Sequence, residues 1–253
     1  MSESFNLFSP ELLILITITA VFAGMVKGIV GFAMPMILIS GMTIFINPDL
    51  ALGILILPTL VTNGWQAGRQ GFAAAFSSVY DHRWFLGVSY VVLLATTQIV
   101  PWLSQPLFFL CLGILVVGFA SLMLSGWQPQ AGNGTTLMIG CALVAGAGGG
   151  ISGVWGPPTV MYLSMHKLEK QAQMRAQGVI YGLGAILLLM GHIRSGIATP
   201  QALILGGFAI LPACFGIWIG FKIQDRINQN MFRVTTLIVL IVTGLNLIRR
   251  SLD

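Results

Sequence analysis

Two interruptions in an otherwise apolar chain hold the residue types that could do chemistry. The first is Ala23-Gly-Met-Val-Lys-Gly-Ile-Val-Gly-Phe32, followed by Pro35. The second is Gly146-Ala-Gly-Gly-Gly-Ile-Ser-Gly-Val-Trp-Gly-Pro-Pro158. Glycine loses the most backbone entropy in a helix, and proline removes a donor and clashes with the preceding turn. The second stretch therefore predicts a loop flanked by hydrophobic helices. At membrane depth such backbone persists only where protein surrounds it or where it lines a polar cavity. Where helix resumes, near Phe32–Pro35 and Gly156–Pro158, free N–H groups carry a partial positive charge of about half an electron. The chemistry this suits is the holding of an anion by backbone amides, with Gly28, Gly31, Gly150, Gly153 and Gly156 allowing close approach and Pro157 and Pro158 opening the resumed helix.

Side chains near the breaks add donors. Lys27 is the one full charge inside a break, either beside the anion pathway or snorkelling to an interface. Asn63, Trp65 and Gln66 end the following apolar run and could donate hydrogen bonds, although Trp65 also suits an interfacial aromatic belt. Trp155 carries a donor-only indole N–H; Ser152 and Tyr162 are weaker candidates of the same kind. Arg175 could guide anions inward or anchor the topology. The competing reading of the glycines is close helix packing by small residues, which leaves Pro157, Pro158 and Trp155 unexplained.

The missing chemistry is as informative. All seven acids fall at span ends or in loops, so neither a proton relay nor a carboxylate cation site is expected. His82, His166 and His192 lack ligand spacing and read as solvated. Cys111, Cys141 and Cys214 lie in separate apolar runs and read as small buried hydrophobes. No nucleophile and base are paired, so no catalytic residue, metal or cofactor is expected.

The elements that must position these residues are membrane spans. Hydrophobic residues make up 56% of 253 positions and charged ones 8%, against about 25% charged in soluble domains. Mean hydropathy is +0.91. The net charge of +5 has no basic block, which argues against nucleic-acid binding. Acidic Glu3 and Glu11 before the first run argue against a secretory signal. Expected spans are Leu12–Val26, Phe32–Ile46, Leu50–Trp65, Trp84–Val100, Leu107–Leu124, Thr135–Ala145, Pro157–Met165, Ala176–Ile193, Gln201–Phe221 and Met231–Ile248, with polar loops over Gln66–Arg83 and His166–Arg175.

The chain also repeats. Adding 122 carries Ala23, Gly24, Gly28, Ile29, Gly31 and Pro35 onto Ala145, Gly146, Gly150, Ile151, Gly153 and Pro157. Paired Gly/Pro-interrupted segments in two halves are the sequence pointer to a secondary-transporter site. The expected fold is an all-α polytopic membrane protein of two inverted repeats, residues 1–124 and 135–253 joined by the linker 125–134. Each repeat is a broken, re-entrant hairpin plus three transmembrane helices. With hairpins, Arg69, Arg83, Lys167, Lys170, Arg175, Lys222, Arg226 and Arg233 share one face, and Arg194, Arg249 and Arg250 the other. Eight against three obeys the positive-inside rule better than the six against five of single crossings.

The two break motifs, together with Asn63-Gly-Trp-Gln66 and Gly148-Gly-Gly-Ile-Ser-Gly-Val-Trp-Gly-Pro-Pro158, resemble the TauE/SafE family of sulfite and organosulfonate exporters over essentially the whole chain. The resemblance implies a multi-pass permease of the bacterial cytoplasmic membrane moving sulfite, sulfoacetate or another sulfonate. The expected partners are thus a small anionic substrate and the bilayer; oligomeric state is open. An inside-negative potential of 100 mV drives out each negative charge with about 2.3 kcal/mol, so export needs no coupling acid. The alternatives are a permease or importer of another small anion, and a non-transporting scaffold subunit.

Overall fold

A computed structural model describes residues 9–102, 104–126, 134–164, 166 and 168–252. Lys167 and most of the linker 125–134 lie outside the described residues. Among the described residues eleven α-helices follow in order: α1 (Pro10–Val30), α2 (Met34–Met42), α3 (Pro48–Gly68), α4 (Phe72–Asp81), α5 (Arg83–Thr96), α6 (Gln105–Leu124), α7 (Gly134–Ser152), α8 (Gly156–Ser164), α9 (Lys170–Arg194), α10 (Pro200–Arg226) and α11 (Gln229–Arg250). Five of them are long and apolar enough to cross a membrane: α1, α3, α9, α10 and the Gly134–Ile151 stretch of α7.

Helix starts follow capping chemistry. Ser9, Asn47 and Thr199 each accept the N–H three residues on, from Leu12 at 3.3 Å, Leu50 at 2.8 Å and Ala202 at 3.2 Å. Each is followed by a proline in the first helical turn, whose missing N–H would have been unpaired there anyway.

Three expectations are corrected. Helix continues through Lys27 and Gly28 to Val30, and through Gly146–Gly150 to Ser152, so the breaks shrink to Gly31–Ala33 and Gly153–Trp155. The glycines are tolerated because unpaired backbone in hydrocarbon costs more than their helix penalty of about 1 kcal/mol each. They also let helix axes close up. A methyl on Gly150 would lie 2.5 Å from the Leu93 carbonyl oxygen of α5, and one on Gly28 would lie 2.5 Å from that of Ile217 on α10. The region expected as a polar loop after Gln66 contains α4, whose Phe72, Phe76 and Tyr80 form one exposed stripe at four-residue spacing. The charged loop before Ala176 is shorter than expected, because α9 begins at Lys170.

The major pairings are α1 on α10, α6 on α11, α3 on α9, α5 on α7 and α3 on α10, and α5 touches α9 more lightly. The short helices α2 and α8 pack on α1 and α7 respectively. α2 doubles back along α1, bringing Gly41 against Thr19 in the middle of α1. Helices α3 and α9 run antiparallel. Gln66 bonds the Met174 carbonyl at one end, Gly182 lies beside Asn63, and Leu55 and Leu188 meet at Gly153 towards the other. Ile14, Ile18 and Phe22 on α1, and Ile204, Phe208, Leu211 and Phe215 on α10, stay exposed, a surface suited to lipid. By contrast α2 is almost wholly buried, including Met34, Met36, Leu38, Ile39 and Met42.

Candidate functional site

Gly31 and Gly153 end α1 and α7 in left-handed backbone, with φ of +88° and +68°. Their N–H groups donate to the carbonyls of Lys27 and Gly149, each at 2.7 Å, which closes the helix C-termini. Only glycine takes this conformation without strain, so both breaks are written into the sequence at the same offset of 122. Ala33 also has positive φ, 74°, just before α2.

The two breaks meet. The Phe32 ring lies against Gly156, and a carbon added at Gly153 would sit 3.8 Å from Pro35 Cβ. Between them is a cavity lined by Lys27, Thr59, Asn63, Trp155, Tyr181 and the break residues themselves. Helices α2 and α8 both start in its wall. Its room is about 10 Å³ for the centre of a water-sized sphere, enough for one water molecule and for nothing larger.

The lining is largely apolar, and its polar groups are mostly donors. Lys27 is 1% exposed; its Nζ donates to Asn63 Oδ1 and lies 5.8 Å from the Tyr181 ring centroid. The ion pair found among the described residues is Arg69–Asp225, so no carboxylate there balances Lys27. Asn63 Nδ2 and Thr59 Oγ1 are buried without a partner. The Tyr181 hydroxyl donates to the Gly156 carbonyl at 3.3 Å.

The side chains packed beside the two breaks, called lids here for their position alone, differ. Beside Gly31, Gln66 Nε2 donates to the carbonyls of Gly31 (3.1 Å) and Met174 (2.8 Å), and Gln177 presses on Gly31. Gln66 Oε1 and both amide atoms of Gln177 are buried and unpaired. Beside Gly153 stand Leu55 and Leu188. Adding 122 carries Leu55 onto Gln177 and Gln66 onto Leu188, so equivalent places hold amides at one lid and leucines at the other. The lids are about 16 Å apart along α3, from eleven residues at 1.5 Å rise. Outside the amide lid a vestibule of about 400 Å³ is lined by Arg69, Lys170, Arg175, Gln224 and Asp225, with Gln66 and Met174 at its floor.

Of the expected site residues, Lys27, Phe32, Pro35, Asn63, Gly153, Trp155 and Gly156 line the cavity. Gly31 sits at the amide lid, while Gln66 and Arg175 face the vestibule. Pro157 and Pro158 are buried in the first turn of α8. Gly28 and Gly150 pack against α10 and α5 instead. Trp65 is 40% exposed and meets Phe221 edge-on at 5.9 Å, away from the cavity. The Ser152 side chain lies outside the described residues. Thr59, Gln177 and Tyr181 went unnoticed in the sequence, though the repeat offset itself links Thr59 to Tyr181.

The expectation of solvated histidines fails for His82 and His192, which are buried. His82 Nδ1 lies 2.9 Å from the Tyr162 hydroxyl. Burial, helped by His166 and Arg175 and opposed by Asp81, lowers the His82 pKa to about 4.

The family model described as Sulfite exporter TauE/SafE matches residues 16–247. The chain belongs to this family, a family of membrane transporters and not of enzymes. No curated protein and no solved structure matches it.

Proposed function

We propose that this TauE/SafE-family chain exports a small sulfur-containing oxyanion, sulfite or an organosulfonate such as sulfoacetate, across the bacterial cytoplasmic membrane. The anion binds where the two helix breaks meet, between the N-termini of α2 and α8. The observation that carries this reading is the cavity itself: a buried lysine without a carboxylate partner, an unpaired Asn63 amide donor and two half-helix starts around one small space. Such a set of donors suits a negative guest, which would supply the charge that Lys27 lacks.

Two inverted repeats build the site in this reading. Exchanging α1, α2, α3, α5 and α6 with α7, α8, α9, α10 and α11 turns α1–α10 into α5–α7 and α3–α9 and α6–α11 into themselves, while the extensive α3–α10 packing has only a light counterpart in α5–α9 and α4 stands outside the exchange. Equivalent helices α3 and α9 run antiparallel, which supports inversion. The vestibule gathers Arg69, Lys170 and Arg175 at one end of the molecule, and the positive-inside rule makes that end cytoplasmic. The small size of the cavity fits a contracted state between inward and outward access.

The test is efflux from proteoliposomes loaded with sulfite, sulfoacetate or carboxylates of equal charge, with the potential clamped. Sulfite or a sulfonate leaves, and its rate follows the potential. Gly153→Leu stops efflux in protein that still inserts and stays monodisperse, since the new side chain would have to enter between Leu55, Leu188 and Pro35 from a left-handed backbone. Movement of carboxylates alone would reject the substrate assignment.

A further inference from the structure

We infer that the vestibule outside the amide lid is a second oxyanion site in series with the break cavity, a loading site where the substrate waits before the Gln66–Gln177 partition parts. The inference rests on the anion reading above but concerns different residues. Three cations, Arg69, Lys170 and Arg175, face this space against the single carboxylate of Asp225, and that carboxylate is already held by Arg69 at 2.5 Å.

The remaining donors are committed only in part. Lys170 Nζ donates to the carbonyls of Gln224 at 2.8 Å and Ile227 at 3.0 Å, which leaves one ammonium proton. Arg175 donates to Ser78 Oγ at 3.1 Å and to Gln70 Oε1, with further guanidinium N–H groups to spare. Gln224 is fully buried; its Oε1 accepts from Arg69 at 3.2 Å, and its Nε2 has no partner. The N-terminus of the 25-residue α9 opens at Lys170 in the same wall.

Size separates the two sites. A volume of about 400 Å³ takes a whole organosulfonate, whereas the contracted break cavity takes a water. The partition between them is polar: Gln177 Nε2 is an unpaired donor, and Gln66 Nε2 can exchange its bond to the Gly31 or Met174 carbonyl for one to a passing anion. The leucine lid beside Gly153 offers no such exchange.

Gln171 also lines the vestibule, and a reporter cysteine there, Gln171→Cys, tests this apart from transport. Sulfoacetate slows its labelling by a membrane-impermeant thiol reagent several-fold, and chloride at equal ionic strength does not. Lys170→Gln removes that protection and raises the efflux KM about tenfold with Vmax little changed, because one charge-assisted contact is lost before the rate-limiting passage. Lys27→Met keeps the protection. Gln224→Leu is read in the same way should Lys170→Gln fail to insert. Absence of protection in the parent, or protection and KM unaffected by both vestibule variants, overturns the loading site. Protection in a parent that moves no sulfonate keeps the loading site and sinks the export reading.

Discussion

Replacing Lys27 by Met separates binding from stability, because the two effects have different signs. The ammonium is 1% exposed, with Asn63 Oδ1 as its hydrogen-bond acceptor and the Tyr181 ring 5.8 Å away. A buried cation without a counter-charge carries a desolvation cost of several kcal/mol. Methionine fills similar space and removes that cost, but it leaves Asn63 Oδ1 unpaired at about 1–3 kcal/mol. These terms oppose each other, so thermal stability in detergent stays the same or rises modestly. Binding loses a hydrogen bond from a charged donor, about 1.5–3 kcal/mol, which is roughly a 10- to 150-fold rise in KM. The assay is sulfoacetate or sulfite efflux from proteoliposomes at clamped potential, beside a melting curve of the same preparation. An unchanged KM would show that the anion never meets Lys27. A collapse of the melting temperature would show that the lysine is structural, and either result refutes the charge argument.

Further outcomes follow from packing and titration. Gly150→Leu drives a side chain into the Leu93 carbonyl and Thr96, so the α5–α7 contact opens and stability falls by about 1–3 kcal/mol, measured as thermal inactivation in detergent. Trp65→Ala leaves efflux KM within about twofold, because the ring itself lines neither the cavity nor the vestibule and only backs Phe221 of the vestibule wall; a larger shift would place it on the anion's path. His82 has a folded-state pKa of about 4 against an ordinary value near 6.5, so the unfolded chain binds more protons between those limits. The stability from its neutral form is complete above about pH 6.5 and is lost as pH falls towards 4, by up to about 1.4 kcal/mol per unit. His82→Gln flattens the melting temperature between pH 4 and 6.5, and an unchanged slope would remove His82 from the account.

Sequence by itself determined that the chain spans a membrane, because 8% charge and repeated apolar runs leave no soluble alternative. It also determined where the backbone turns. Gly31 and Gly153 take left-handed backbone, and the prolines at 35 and 157 fall in the next helix's first turn; these are local properties of residue type. The reach of the breaks was not legible. Gly146 and Gly150 read as loop until α5 is seen lying close enough to need them bare, as α10 is for Gly24 and Gly28. Tertiary structure alone decided which donors share the cavity. Thr59, Asn63 and Tyr181 join Lys27 because antiparallel α3 and α9 bring distant positions to one level. It also decided that amides close one lid and leucines the other, since such contacts depend on which helices pack together, and no local preference of the chain encodes that.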